Sequence, residues 1–157
     1  MKPAFTHSAP TGLLVLLLLL GSPGVGAVSA QEASEEQAIH QMWATFEELF
    51  HQGNSQGIGR IYTEDADRRN GLAEHARGGA EVQQMYEAIF AGRPSRQNSE
   101  ATRVRFEYEV RLLRPDVALI DGFYLQPTGT RGMFTVVTTK EDGAWRMAAG
   151  RAGALLN

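Results

Sequence analysis

Cysteine is absent from all 157 residues. Disulfides, thiol nucleophiles and cysteine-linked lipids are therefore excluded, and packing alone must hold the fold. Long apolar runs are also missing. The longest, Leu13 to Leu20, falls far short of the roughly 20 residues that span a bilayer, and Gly21, Pro23 and Gly24 break it at once. A permanent membrane anchor is not expected. The chain has neither a basic patch nor an acidic tail: its formal net charge of -3 is spread along its length, which argues against nucleic acid as a partner. Repeats and low-complexity segments are lacking after the first thirty residues.

What is present begins with an export signal. Lys2, the apolar core 13–20 and the small residues Val28-Ser29-Ala30 make a secretory signal peptide with cleavage expected after Ala30, so localisation is periplasmic or secreted. The remainder, 31–157, is of a size that suits one domain.

Ser34-Glu-Glu-Gln37 reads as a capping box that opens a first helix, which stops at Gly53. Ile39, Met42, Trp43, Phe46, Leu49 and Phe50 recur at helical spacing and form one wide apolar face. A short second helix is expected near 54–62, although Gly57 and Gly59 cost about 1 kcal/mol each relative to alanine. A third, near 80–91, carries Val82, Met85, Tyr86, Ile89 and Phe90 on one side and ends at Gly92, ahead of Pro94.

From Thr102 the period changes to two. Val104, Phe106, Tyr108, Val110 and Leu112 alternate with Arg103, Arg105, Glu107, Glu109 and Arg111, so one face is buried and one charged. Arg114-Pro115-Asp116 turns the chain into a strand over 117–125. Glu141-Asp142-Gly143 joins strands near 133–140 and 144–152. Helices first and a three- or four-stranded meander last predict an α+β fold, with three N-terminal helices packed on the concave face of a curved antiparallel or mixed sheet.

Four segments in this order carry a family resemblance: Phe50-His-Gln-Gly53, Tyr62-Thr-Glu-Asp-Ala-Asp67, Arg77-Gly78-Gly79 and Gly143-Ala-Trp145-Arg-Met-Ala-Ala149. Over nearly all of 32–152 the chain resembles the nuclear transport factor 2-like superfamily, and within it the SnoaL-like and SgcJ/EcaC-type proteins. The resemblance implies a cystatin-like α+β cone with a pocket between sheet and helices, and frequently a homodimer through the outer sheet face. Some members are isomerases, cyclases or dehydratases. In the ketosteroid isomerase branch, a tyrosine donor precedes the glycine matching Gly53 by seven residues, and the base ends the first strand. Here those positions hold Phe46 and Asn70, and neither can supply the chemistry. Isomerase activity of that type is not expected. Asn70 either orients a ligand or caps the local backbone.

On the strand 117–125, Asp121 shares parity with Val117, Leu119, Phe123 and Leu125. If that face lines the cone, Asp121 and Arg151, which shares parity with Trp145, Met147 and Ala149, could pair or hold a polar ligand together. Alternatively a bulge or Gly122 turns Asp121 to solvent. Trp43, Phe46, Tyr62, Tyr86, Phe90 and Tyr108 are candidates for an aromatic lining, or simply for the core. His75 reads as a loop histidine, and Asp65 and Asp67 as corner residues serving backbone amides. His40 and His51 lack a third ligand at metal spacing, Gly78-Gly79 reads as a turn, and no cofactor site can be assembled. The reading preferred is an exported binder of a small, moderately hydrophobic molecule. The alternatives are a SnoaL-like enzyme using Asp121 with His75 or Arg151, and a dimerisation module with a filled cone.

Overall fold

The computed structural model describes residues 25–92 and 103–155. The apolar run at 13–20, expected to be the core of a signal peptide, and its breakers, together with Pro94 and Thr102, lie outside the described residues.

The first helix, α1, spans Val25–Gln52. It passes through both Ala30 and Ser34, which corrects the expected start at a capping box. The reason is that nothing between Ala27 and Ala33 breaks a helix, so Ser34 has no end to cap. Glu35 is used instead to pin α1 to the sheet: it accepts from Lys140 Nζ at 2.6 and 2.8 Å and from Trp145 Nε1 at 2.9 Å. The stop at Gly53 is as expected. Asn54 N–H donates to Leu49 C=O and Gly53 N–H to Phe50 C=O, the paired bonds of a Schellman ending.

Asn54 then caps α2 (Ser55–Ile61), its side chain accepting from Gly57 N–H at 2.8 Å. The glycines that weaken α2 have a packing role. A Cβ on Gly59 would stand 2.7 Å from the carbonyl oxygen of Gly79, so only bare backbone lets α2 meet α3 (Gly78–Ala91) this closely. Between them run β1 (Tyr62–Arg69) and a short β2 (His75–Arg77), where a loop was expected.

After α3 come β3 (Arg105–Arg114), β4 (Val117–Leu125), β5 (Arg131–Glu141) and β6 (Ala144–Ala154). They form the expected meander in its four-stranded form. Strand β1 then joins parallel to β6, giving one six-stranded mixed sheet in the order β2-β1-β6-β5-β4-β3. The buried face of α1 (Ile39, Trp43, Phe46, Phe50) and that of α3 (Val82, Met85, Tyr86) close over inner-face residues Ile120, Phe134, Val136 and Met147. On this face small residues stand opposite large ones. Gly122 pairs with Phe134 and Gly132 with Tyr124, and each ring lies where the glycine's Cβ would be.

Candidate functional site

Curvature of the sheet keeps its inner face from closing fully on the helices. A cavity of about 370 Å³ remains, within the range of roughly 300–1,000 Å³ usual for small-molecule sites. Its wall is aromatic. Trp43 stacks on Phe134 with centroids 4.9 Å apart and planes 11° off parallel, and Phe46, Phe50 and Phe106 meet edge to face or tilted around it. The indole N–H of Trp43 is already satisfied by Glu47 at 2.6 Å, so the ring presents carbon to the cavity.

Six of the nine residues singled out from sequence border this cavity: Trp43, Phe46, Tyr62, Asn70, Tyr86 and Arg151. Three do not. Phe90 packs behind the wall against Phe50 and Tyr86. Tyr108 lies beyond Trp43, its hydroxyl 3.0 Å from His40 Nδ1. Asp121 is on the other side of the sheet altogether. Its whole face, Val117 through Leu125, points outward, while Ala118, Ile120, Gly122 and Tyr124 point in. No bulge interrupts the pairing of β4 with β5, so the regular alternation itself carries Asp121 outward, where Thr135 donates to it at 2.5 Å. The expectation that Asp121 faces the cone is thus corrected. Parity was legible, but the sign was not, because β4 is apolar on both faces.

The bulge lies in β6 instead. Thr138 pairs with Met147 but Val137 with Ala149, an extra residue that reverses parity after Trp145 and Met147. Arg151 therefore turns toward the neighbouring β1, against expectation. One of its nitrogens donates to the Asp67 and Gly150 carbonyls at 2.8 Å, and the other pairs with the Asp67 carboxylate. Asp67 also takes His75 Nε2 at 2.7 Å. His75, first of all, and then Arg151 hold its carboxyl below the usual aspartate range, with burial opposing. Asp121, His75 and Arg151 consequently do not assemble, whereas Asp67, His75 and Arg151 do, as a brace tying β1 to β2 and β6. Asn70 is committed in the same way. Its carbonyl accepts from Leu72 and Glu74 N–H at 2.9 and 3.1 Å, and its amide donates to Glu74, so the local-cap reading describes it.

The residue that sequence reasoning missed is Arg68. It is 9 % exposed, borders the cavity, and folds beneath β6 at Gly150, where a Cβ would come within 2.8 Å of its Cδ. Its hydrogen-bonding neighbours are the Arg69 carbonyl and the hydroxyls of Tyr86 and Tyr62. Burial disfavours the charged guanidinium; its pKa is nonetheless raised by attraction to Tyr86 and Tyr62, which operates fully only when those phenols ionise, far above neutral pH. Burial likewise drives the Tyr62 phenol far above its ordinary range, with Tyr86 adding to the shift and Arg68 opposing it. Tyr124, raised by burial, also feels the Arg68 charge. The available signal was parity with Tyr62 and Ala66 along β1. It was obscured because Asp65-Ala-Asp-Arg-Arg69 reads as a solvated turn.

No family model matches the sequence, and a search of curated proteins found no match. Solved structures do match. A nuclear transport factor 2-like protein of unknown function from Pseudomonas putida aligns with a TM-score of 0.66 at 14% identity, over 80% of this chain and 89% of that one. A ketosteroid isomerase-like protein from Erwinia carotovora aligns at 0.61 and 18% identity, over 78% and 98%. A domain of unknown function with a cystatin-like fold from Nostoc punctiforme aligns at 0.60 and 20% identity, over 82% and 80%. With helices closing the concave side of a six-stranded mixed sheet, the chain has the nuclear transport factor 2-like, or cystatin-like, fold.

Proposed function

We propose that this protein is an exported binder that holds a small, moderately hydrophobic molecule in its cone. The observation that carries the proposal is the aromatic cavity of about 370 Å³. Its size argues against the alternative of a cone filled by its own side chains. Among the described residues that line it there is neither a carboxylate nor an imidazole, and burial raises the Tyr62 and Tyr124 phenols, so this lining offers no ready general base near neutral pH. Binding needs only the apolar wall and a few fixed polar groups.

The outer sheet face supports a second part of the reading, a homodimer. Met133 is 50% exposed and Phe123 38%, paired across β4 and β5 on a face that also carries the charged stripe Arg105, Glu107, Glu109 and Arg111. Export and removal of residues 1–30 remain part of the proposal, resting on the signal-peptide pattern.

Native mass spectrometry on the protein purified from an export-competent host that expresses the full 1–157 chain tests all three parts. The expected result is a processed dimer with an extra mass that denaturation releases. An unprocessed chain would remove export, and a monomer would remove the dimer. An empty cone that also takes up nothing from a hydrophobic-metabolite screen would remove the binding function.

A further inference from the structure

The wall of the cavity carries charge of one sign only. Arg68 and Arg151 border it, and no acidic side chain does among the described residues. The two arginines differ in state. Arg151 is half exposed and neutralised by Asp67. Arg68 is nine-tenths buried, and no ion pair to it occurs among the described residues. Its neighbours are hydroxyls and a carbonyl, which accept hydrogen bonds but carry no formal charge at neutral pH. An isolated buried charge costs several kcal/mol, and folded chains ordinarily pair it. Here the chain also leaves Gly150 bare, so that the arginine stem can lie under β6 and reach the cavity.

We propose that Arg68 is the anchor for a ligand anion, and that the cone takes an amphipathic monocarboxylate whose carboxylate meets Arg68 while its apolar body lies against Trp43, Phe46 and Phe134. This rests on the binding reading above and narrows it to a ligand class. One guanidinium compensates one negative charge, and its planar fork matches a carboxylate. A dianionic phosphate would bring a second charge into the same apolar surroundings with nothing to meet it. Of the Tyr62 and Tyr86 hydroxyls beside Arg68, which share one hydrogen bond, the one whose proton is not used in it can donate to the same oxygens, which adds a donor without adding charge. The aromatic wall at the other side favours a ring or branched chain over a polar body.

Isothermal titration calorimetry with two matched pairs, naphthoate against naphthamide and cinnamate against cinnamamide, separates the anchor from the cone. Each pair has nearly the same shape and differs in charge. The protein should prefer the acid of each pair by about tenfold to hundredfold, the range for hydrogen bonds to a charged group. Arg68→Gln should bring acid and amide to similar affinity, chiefly by weakening the acid. Arg68→Lys keeps the charge without the fork, so it should retain only part of the preference. Circular dichroism reports whether each variant folds, and the wild-type comparison needs no variant at all. Equal affinity of acid and amide in the wild type overturns the anchor while leaving the cone reading intact, as does a preference that survives in Arg68→Gln. Binding of neither acid nor amide also overturns it, and the mass-spectrometric experiment then decides the cone reading separately.

Discussion

Replacing Arg68 with methionine tests whether that guanidinium is there for a ligand or for the fold. Arg68 is 9 % exposed, and removing such a charge from water costs several kcal/mol. Against this stand its hydrogen bonds to the Arg69 carbonyl and the Tyr86 and Tyr62 hydroxyls, which return only part of that cost because none of the acceptors carries a compensating charge. Methionine has a similar length and no charge, so it can fill the channel under Gly150. It strands little, because Tyr62 and Tyr86 retain the hydrogen bond between their hydroxyls. The expected outcome is that ligand-free Arg68→Met is more stable by about 1–2 kcal/mol, which for a domain of this size raises Tm by roughly 3–8 °C. Urea and thermal unfolding of both proteins, stripped of ligand by refolding, read this directly. A loss of about 2 kcal/mol or more would refute the reasoning, because the hydrogen bonds would then outweigh the desolvation and Arg68 would be a strut.

Three further outcomes follow from the geometry. Gly78 has φ +69° and its Cβ would stand 2.5 Å from the Glu64 carbonyl oxygen, so Gly78→Ala should destabilise by about 2 kcal/mol or more in urea unfolding. Asp121→Asn lies on the outer face and should leave affinity for any cone ligand unchanged in calorimetry; a clear weakening would contradict the placement of β4. Asp67 and Glu35 both have folded pKa values below their ordinary ones, Asp67 through His75 and Glu35 through Lys140. A depressed carboxyl contributes stability that is present above its unfolded pKa, about 4, and lost as pH falls through the folded value. Unfolding measured across that acid range should therefore show a steep loss below about pH 4, and Lys140→Ala should make it shallower.

The helices were legible because their signals are local. The apolar stripe from Ile39 to Phe50 and the glycine stop at 53 depend on neighbours within a few residues, as does the apolar face of α3 from Val82 to Phe90. The alternation of β3 was equally plain, since Arg105, Glu107, Glu109 and Arg111 mark its outer side. Where such marks are missing, reading failed. The upstream limit of α1 depended on residues that merely tolerate a helix, and β2 is too short to show a period. On β4 an apolar run concealed which parity faced the helices, and so misplaced Asp121.

By itself, then, the sequence determined the order of the elements, the amphipathic faces of helices and β3, and the aromatic character of whatever those faces would enclose. All of these follow from side-chain periodicity along a short stretch of backbone. Tertiary structure alone decided which face of β4 turned inward, where the bulge in β6 reversed parity, and that β1 would lie beside β6. Those depend on pairing between strands distant in the chain, which no local pattern records. That pairing brings Arg68 under Gly150 and beside Tyr62 and Tyr86. A residue that reads in sequence as part of a polar turn becomes, through a contact 82 positions away, the one buried cation among the described residues lining the cavity.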